Sequence, residues 1–161
     1  MSTSDHMCGR IISVSRRVMR GFTPSALVGA RRNAGWSQAD LARLSDVGVA
    51  TIRRWEKGTA SPQVDVLARV AAVLEVPISD FVNIPVSERF PGDWRVLLGL
   101  TQPQLGARAG VRTAVVGSIE RGETALSDNV AERLSSALDI SIAELRDAHQ
   151  RARSRPPGMP A

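Results

Sequence analysis

Apolar residues fall at Val66, Leu67, Val70, Val73 and Leu74, an i, i+3, i+4 recurrence that predicts an amphipathic helix, and the pattern returns at Val130, Leu134, Ala137 and Leu138. Ahead of these runs, Ile52 and Trp55, and later Val116 and Ile119, lie three apart on one face of a shorter helix. The shorter helix begins near Gly48 and stops at Gly58; its later counterpart begins near Arg112 and stops at Gly122. Further upstream, Ala26 to Ala34 is rich in helix formers and is stopped by Gly35. Ser37 and Asp40 then make an S-x-x-D cap that takes up the free amides of a new first turn, in a helix running to about Leu44. Thr101, Pro103 and Gln104 repeat that signal with a proline where its missing N–H costs little. Short fifth helices are predicted over Ser79 to Val82 and Ile142 to Asp147. No segment alternates as a convincing strand does, so the fold class is all-α.

These signals recur because the chain repeats itself. Trp36 to Phe81 can be laid on Leu100 to Leu145 at a constant offset of 64 residues without a gap, and ten of the forty-six pairs are identical. Two copies are too few for a solenoid, which needs about three or more stacked units, so each copy is expected to be a small domain of its own. The division is a basic N-terminal arm (1–22), a first five-helix unit (23–84), a linker (85–89), a second five-helix unit (90–150) and a basic, disordered tail (151–161). The stretch Val82 to Arg89 spans less than roughly 30 Å at about 3.3–3.6 Å per residue, which holds the units near one another.

Composition agrees with two small cores: the 161 residues are 43% hydrophobic and only 4% aromatic. Cys8 is the only cysteine, which excludes an intrachain disulfide and argues against a cysteine-built zinc site. His6 and His149 stand apart near the two ends, so neither a metal nor a cofactor is expected. The greasiest run, Val64 to Ile84, is broken by Asp65, Arg69, Glu75, Pro77 and Asp80, and the polar start, Met1 to Met7, is no signal peptide. A cytoplasmic protein without a membrane partner is the expectation. Net charge is +5, with both tails basic and residues 85–150 net acidic. Arg10, Arg16, Arg17 and Arg20, and likewise Arg151, Arg153 and Arg155, are either arms for a phosphate backbone or merely solvated. Nothing pairs a histidine with a carboxylate or builds a glycine-rich phosphate loop, so an enzyme is not expected.

Two short helices about four residues apart, with a small residue (Ala42 or Gly106) on the first and an apolar anchor (Val47 or Val111) in the turn, make a helix-turn-helix. The strings Gly35-Trp36-Ser37-Gln38-Ala39-Asp40-Leu41-Ala42 and Ile52-Arg53-Arg54-Trp55-Glu56-Lys57-Gly58 resemble the XRE family of helix-turn-helix regulators, the fold of lambda-type repressors and Cro. Gly99-Leu100-Thr101-Gln102-Pro103-Gln104-Leu105-Gly106 and Val116-Gly117-Ser118-Ile119-Glu120-Arg121-Gly122 resemble it too. The likeness covers about residues 24–84 and 90–148.

The resemblance implies two tandem lambda-repressor-like DNA-binding domains. It implies structural ion pairs between Arg31 and Glu56 and between Arg95 and Glu120, and a phosphate contact by Gln38 and Gln102, which suits an amide at the positive end of a helix. A capping role for those glutamines is the plainer alternative. It makes the third helix a major-groove reader. In the first copy Val49 and Ala50 then suit thymine methyls, Arg54 suits guanine O6 and N7, and Arg53 or Lys57 suits phosphate. The second copy offers Thr113, Ala114 and Ser118, with Gly117 among them and Arg112 and Arg121 beside them. No long side chain there reaches for a base, so the second unit is either a weak DNA contact or a packing partner.

The function expected is a sequence-specific transcriptional regulator, a repressor by family habit, acting on double-stranded DNA as a homodimer or as an intramolecular pseudo-dimer of its two units. The alternative is a protein-interaction module, an antitoxin or adaptor, whose second unit binds a protein through Ala114, Val115 and Gly117.

Overall fold

All but one of the helices that these signals predict form as α-helices. The computed structural model describes residues 18–161; the first unit holds α1 (Pro24–Asn33), α2 (Gln38–Ser45), α3 (Val49–Glu56) and α4 (Val64–Leu74), then a 3-10 turn at Ile78–Asp80. A second 3-10 turn at Val86–Glu88 leads into the other unit: α5 (Pro91–Leu97), α6 (Gln102–Ala109), α7 (Thr113–Glu120), α8 (Asp128–Leu138) and α9 (Ile142–Ser154). Among the described residues there is no strand, only an isolated bridge between Phe22 and Val82.

The caps follow the sequence. Ser37 Oγ accepts from the Asp40 amide at 3.0 Å while Asp40 accepts from the Ser37 amide at 3.1 Å; Thr101 and Gln104 make the same reciprocal pair. The inward stripes then meet in two cores. Leu27, Leu41, Ile52, Trp55, Leu67, Val70 and Phe81 fill the first, and Leu105, Val116, Ile119, Leu134, Leu138 and Leu145 fill the second. Val47 and Val111 pack on their respective cores from the turn.

Three expectations need correction. The first unit's fifth helix is only the 3-10 turn at Ile78–Asp80, because Phe81 and Val82 turn inward and the Phe81 carbonyl accepts from the Thr23 amide at 2.8 Å. The last helix does not stop at Asp147, nor the second unit at residue 150: α9 continues to Ser154 with Ala148, His149 and Ala152 buried. Nor is the tail beyond 150 a free basic segment. Arg151 donates to the carbonyls of Arg89 at 2.9 Å and Val86 at 3.2 Å, and Arg155 donates to that of Arg121 at 2.6 Å.

Of the N-terminal arm, residues 1–17, with His6, Cys8, Arg10, Arg16 and Arg17, lie outside the described residues. Residues 18–22 form a strap. The Met19 amide donates to Ser61 Oγ at 2.7 Å, and the Asn83 amide to the Gly21 carbonyl at 3.0 Å. Arg20 is not free for phosphate: it is paired with Asp93 of the second unit and lies 4.3 Å from the centre of the Phe90 ring. Burial raises the Asp93 carboxyl above its ordinary range, against the pull of the Phe90 amide and of Arg20.

The units meet directly. α5 lies against Ile78–Asp80, and Val96 and Leu97 pack on the first core. The corresponding face of the first unit stays open: a Cβ on Gly35, the counterpart of Gly99, would meet nothing within 4 Å.

Candidate nucleic-acid interface

The interface starts from a tight turn between α2 and α3. After Ser45 the chain enters the left-handed region at Asp46 (φ 53), and the Val47 amide returns to the Ala42 carbonyl at 2.9 Å. The second unit repeats this through Gly110 (φ 67) and a bond of 2.9 Å from Val111 to Gly106. The second turn is closer: a Cβ on Gly106 would stand 2.6 Å from the Val111 carbonyl oxygen, where the first unit accommodates the methyl of Ala42.

That turn sets the face of α3. Ile52 and Trp55 are sealed in the core, which leaves Ala50, Arg53, Arg54 and Lys57 exposed and Val49 half-buried at the start of the helix. Arg53, Arg54 and Lys57 have no carboxylate partner among the described residues, so their N–H groups are open to acceptors from outside. Arg43 on the neighbouring α2 is 71% exposed and only loosely held by Asp40 at 3.7 Å.

A clamp fixes α3 from behind. Arg31 on α1 grips Glu56 with two parallel bonds, Nε to Oε1 at 2.6 Å and Nη2 to Oε2 at 3.1 Å, and donates Nη1 to the Trp36 carbonyl at 2.8 Å. Arg95, Glu120 and the Leu100 carbonyl repeat these distances in the second unit. Burial raises the Glu56 carboxyl, but the hydrogen bonds of Arg31 and Gln38 outweigh it and hold the group below its ordinary range. The glutamate in turn raises Arg31.

Gln38 belongs to this clamp. Its side-chain amide donates to Glu56 Oε2 at 2.6 Å, and Gln102 donates to Glu120 at 2.7 Å. The side chain expected to meet phosphate is thus already committed inward, and what the start of α2 offers an anion is its free backbone N–H groups.

In the second unit Thr113 and Ala114 are exposed and Ser118 half-buried, but Gly117 is buried beneath the Arg121 guanidinium. Arg121 is itself cancelled by a bidentate pair with Glu123, at 2.7 and 2.9 Å. Arg112 stays exposed. Where the first unit has Lys57 and Thr59, the second has an arginine and the carboxylate that neutralises it.

The start of α6 also faces the other unit. Gln102, Glu120 and Arg121 share a cleft of about 270 Å³ with Pro62, Gln63 and Val64 from the first unit and with the strap. A wider groove of about 950 Å³, between α1 and the end of α4, contains no residue of α3. Among the described residues no group of three or more His, Cys, Asp or Glu stands close enough to hold a metal ion, and no helix is long and apolar enough to cross a membrane.

Sequence reasoning missed the strap and the inter-unit face, for which a linear pattern carries no signal. The Arg121–Glu123 pair, two residues apart just past a helix end, was visible in the string.

Comparison with known proteins agrees with the geometry. The family model described as Helix-turn-helix matches residues 29–81 and again 93–145. The chain is also similar to the HTH-type transcriptional regulator SutR of Escherichia coli (strain K12), 35% identical over 66 residues, which are 41% of this chain and 37% of that protein. The match thus spans little more than a third of the relative's length.

Proposed function

The chain belongs to the Helix-turn-helix family, of the XRE type, with two units in tandem, and on that footing we propose that it is a DNA-binding transcriptional regulator that reads the major groove with α3. The observation that carries this reading is the contrast on one short helix: Ile52 and Trp55 locked inward, Arg53, Arg54 and Lys57 outward and, among the described residues, unpaired. Arg54 takes a guanine edge with two hydrogen bonds, Ala50 and Val49 lie against thymine methyls, and Arg53 and Lys57 meet phosphates. The amides at the start of α2 seat a further phosphate. We read its action as repression, through occupancy of an operator.

The second unit contributes less to affinity. With Arg121 neutralised and Gly117 covered, Arg112 is its remaining exposed cation on that face, so α7 serves mainly as a copy of the scaffold.

Selection of bound duplexes from a random pool by the full chain tests the proposal. A defined motif is expected, with Arg54→Ala weakening it by about 1–3 kcal/mol and relaxing one position. Failure to enrich any sequence refutes it, and equal binding by Arg54→Ala refutes the guanine contact assigned to Arg54.

A second reading, a protein partner on α7, is favoured by Val115, which is 36% exposed beside Ala114. A stoichiometric partner recovered by the parent and lost in Val115→Arg would support it.

A further inference from the structure

The two units are related head to tail. Gly99, at the end of α5, lies so close to the first unit that a Cβ there would stand 3.0 Å from Ala68 Cβ and from Ile78 Cδ1. A two-fold arrangement requires the reciprocal contact: the counterpart of Gly99 is Gly35, and those of Ala68 and Ile78 are Glu132 and Ile142. That contact is missing. A Cβ on Gly35 would meet nothing within 4 Å, Glu132 is exposed, and Ile142 is 41% exposed.

The side chains around these glycines have diverged accordingly. Val96 and Leu97 pack on the first core, whereas their counterparts Arg32 and Asn33 are exposed. Val64 is half-buried in the cleft shared with Gln102, whereas its counterpart Asp128 has 94% of its side chain in solvent. One face of each unit is thus covered by the other, and the corresponding face is left open.

From this geometry we infer that a single chain reads one asymmetric stretch of DNA, and that the two units of one chain do not occupy the two halves of an inverted repeat. The halves of a palindrome are exchanged by a two-fold axis, and only readers related by the same axis meet both alike. Readers joined head to tail are not exchanged by that axis, so any contribution of α7 falls outside the symmetric half-site of α3. A palindromic operator therefore needs a second chain. The inference rests on the proposed function, since it concerns the symmetry of the site that α3 reads.

The test joins the motif selected by the full chain to its own inverted copy one helical turn away, and measures both the affinity and the mass of the complex. The first chain should bind within about threefold of its affinity for the single motif, because it gains no second contact, whereas engagement of both halves by one chain would tighten binding on the order of a hundredfold. A second chain should then load on the inverted copy. One chain per inverted repeat, with the larger gain, overturns the inference while leaving the proposed function intact. If no duplex is bound at all, it is the proposed function that has failed, and this inference falls with it.

Discussion

Gln38 and Arg31 hold Glu56 from two sides: both donate to the same Oε2, at 2.6 Å and 3.1 Å, although one residue lies on α2 and the other on α1. Three helices thereby converge on one carboxylate, and the reader's position depends on that charge. Replacing Glu56 by Gln leaves the Arg31 guanidinium, 10% exposed, without its counter-charge. A loss of about 3–5 kcal/mol is expected from breaking a buried pair, read as a lower midpoint in urea. A double-mutant cycle with Arg31→Met should show that the two changes cost less together than their separate losses summed.

The same carboxylate sets an acid limit. Its value in the folded protein lies below the ordinary 4.5, so the stability it contributes is complete above about 4.5 and is lost as pH falls through the folded value. Glu56→Gln should flatten this part of the stability profile, measured by denaturant titration at a series of pH values.

His149 acts in a higher window. Burial lowers it below 6.5, against the pull of the Thr124 carbonyl 2.9 Å from Nε2, and Arg153 and Arg146 lower it further. The unfolded chain therefore binds the proton first. Stability should begin to fall as pH drops below about 6.5 and level off beneath the folded value. In His149→Gln that slope should vanish; an unchanged slope would place its origin elsewhere.

Two turns that look alike should respond differently to an added methyl. Gly106→Ala brings a Cβ against the Val111 carbonyl, and a cost of about 1–3 kcal/mol is expected from overpacking at a site where backbone must move. Ala42→Gly removes a buried methyl from the matching position and should cost about 1.5–2 kcal/mol, through helix propensity and one lost contact. Thermal melting should place both variants below the parent, one for gaining a methyl and the other for losing it.

Charge can be restored to the second reader. Removing the carboxylate in Glu123→Ala frees Arg121. Non-specific duplex affinity should rise and the salt slope steepen by about one phosphate contact, whereas Lys57→Ala should flatten it by a similar amount. Anisotropy titrations across ionic strength distinguish the two.

Within a unit, nearly everything was legible. The repeat, the capping boxes, the stripe from Val66 to Leu74 and the Arg31–Glu56 and Arg95–Glu120 pairs follow from short-range patterns or from a resemblance carried by contiguous strings. The length of α9 was not legible, because its inward stripe continues past Leu145 only as the small residues Ala148 and Ala152, with contacts such as His149 with Thr124 and Arg155 with Arg121 beside them. The same holds between units. Val96 and Leu97 pack on the first unit's core, a contact that no pattern within α5 marks, and Arg20 reads as a phosphate arm or a solvated charge until Asp93 is found across the gap.

The short link between the units is braced from both sides. Arg89 donates to the Ile84 carbonyl at 2.9 Å and lies 4.4 Å over the Trp94 ring, while Arg151 reaches back to Val86 and Arg89. It therefore works as a splint, unlike the slack tether of most two-module binders, in which reach is tuned by adding residues. Insertions at Ser87 would loosen the splint before they extended it, so evolution could change the spacing of what this chain grips only by rebuilding the joint.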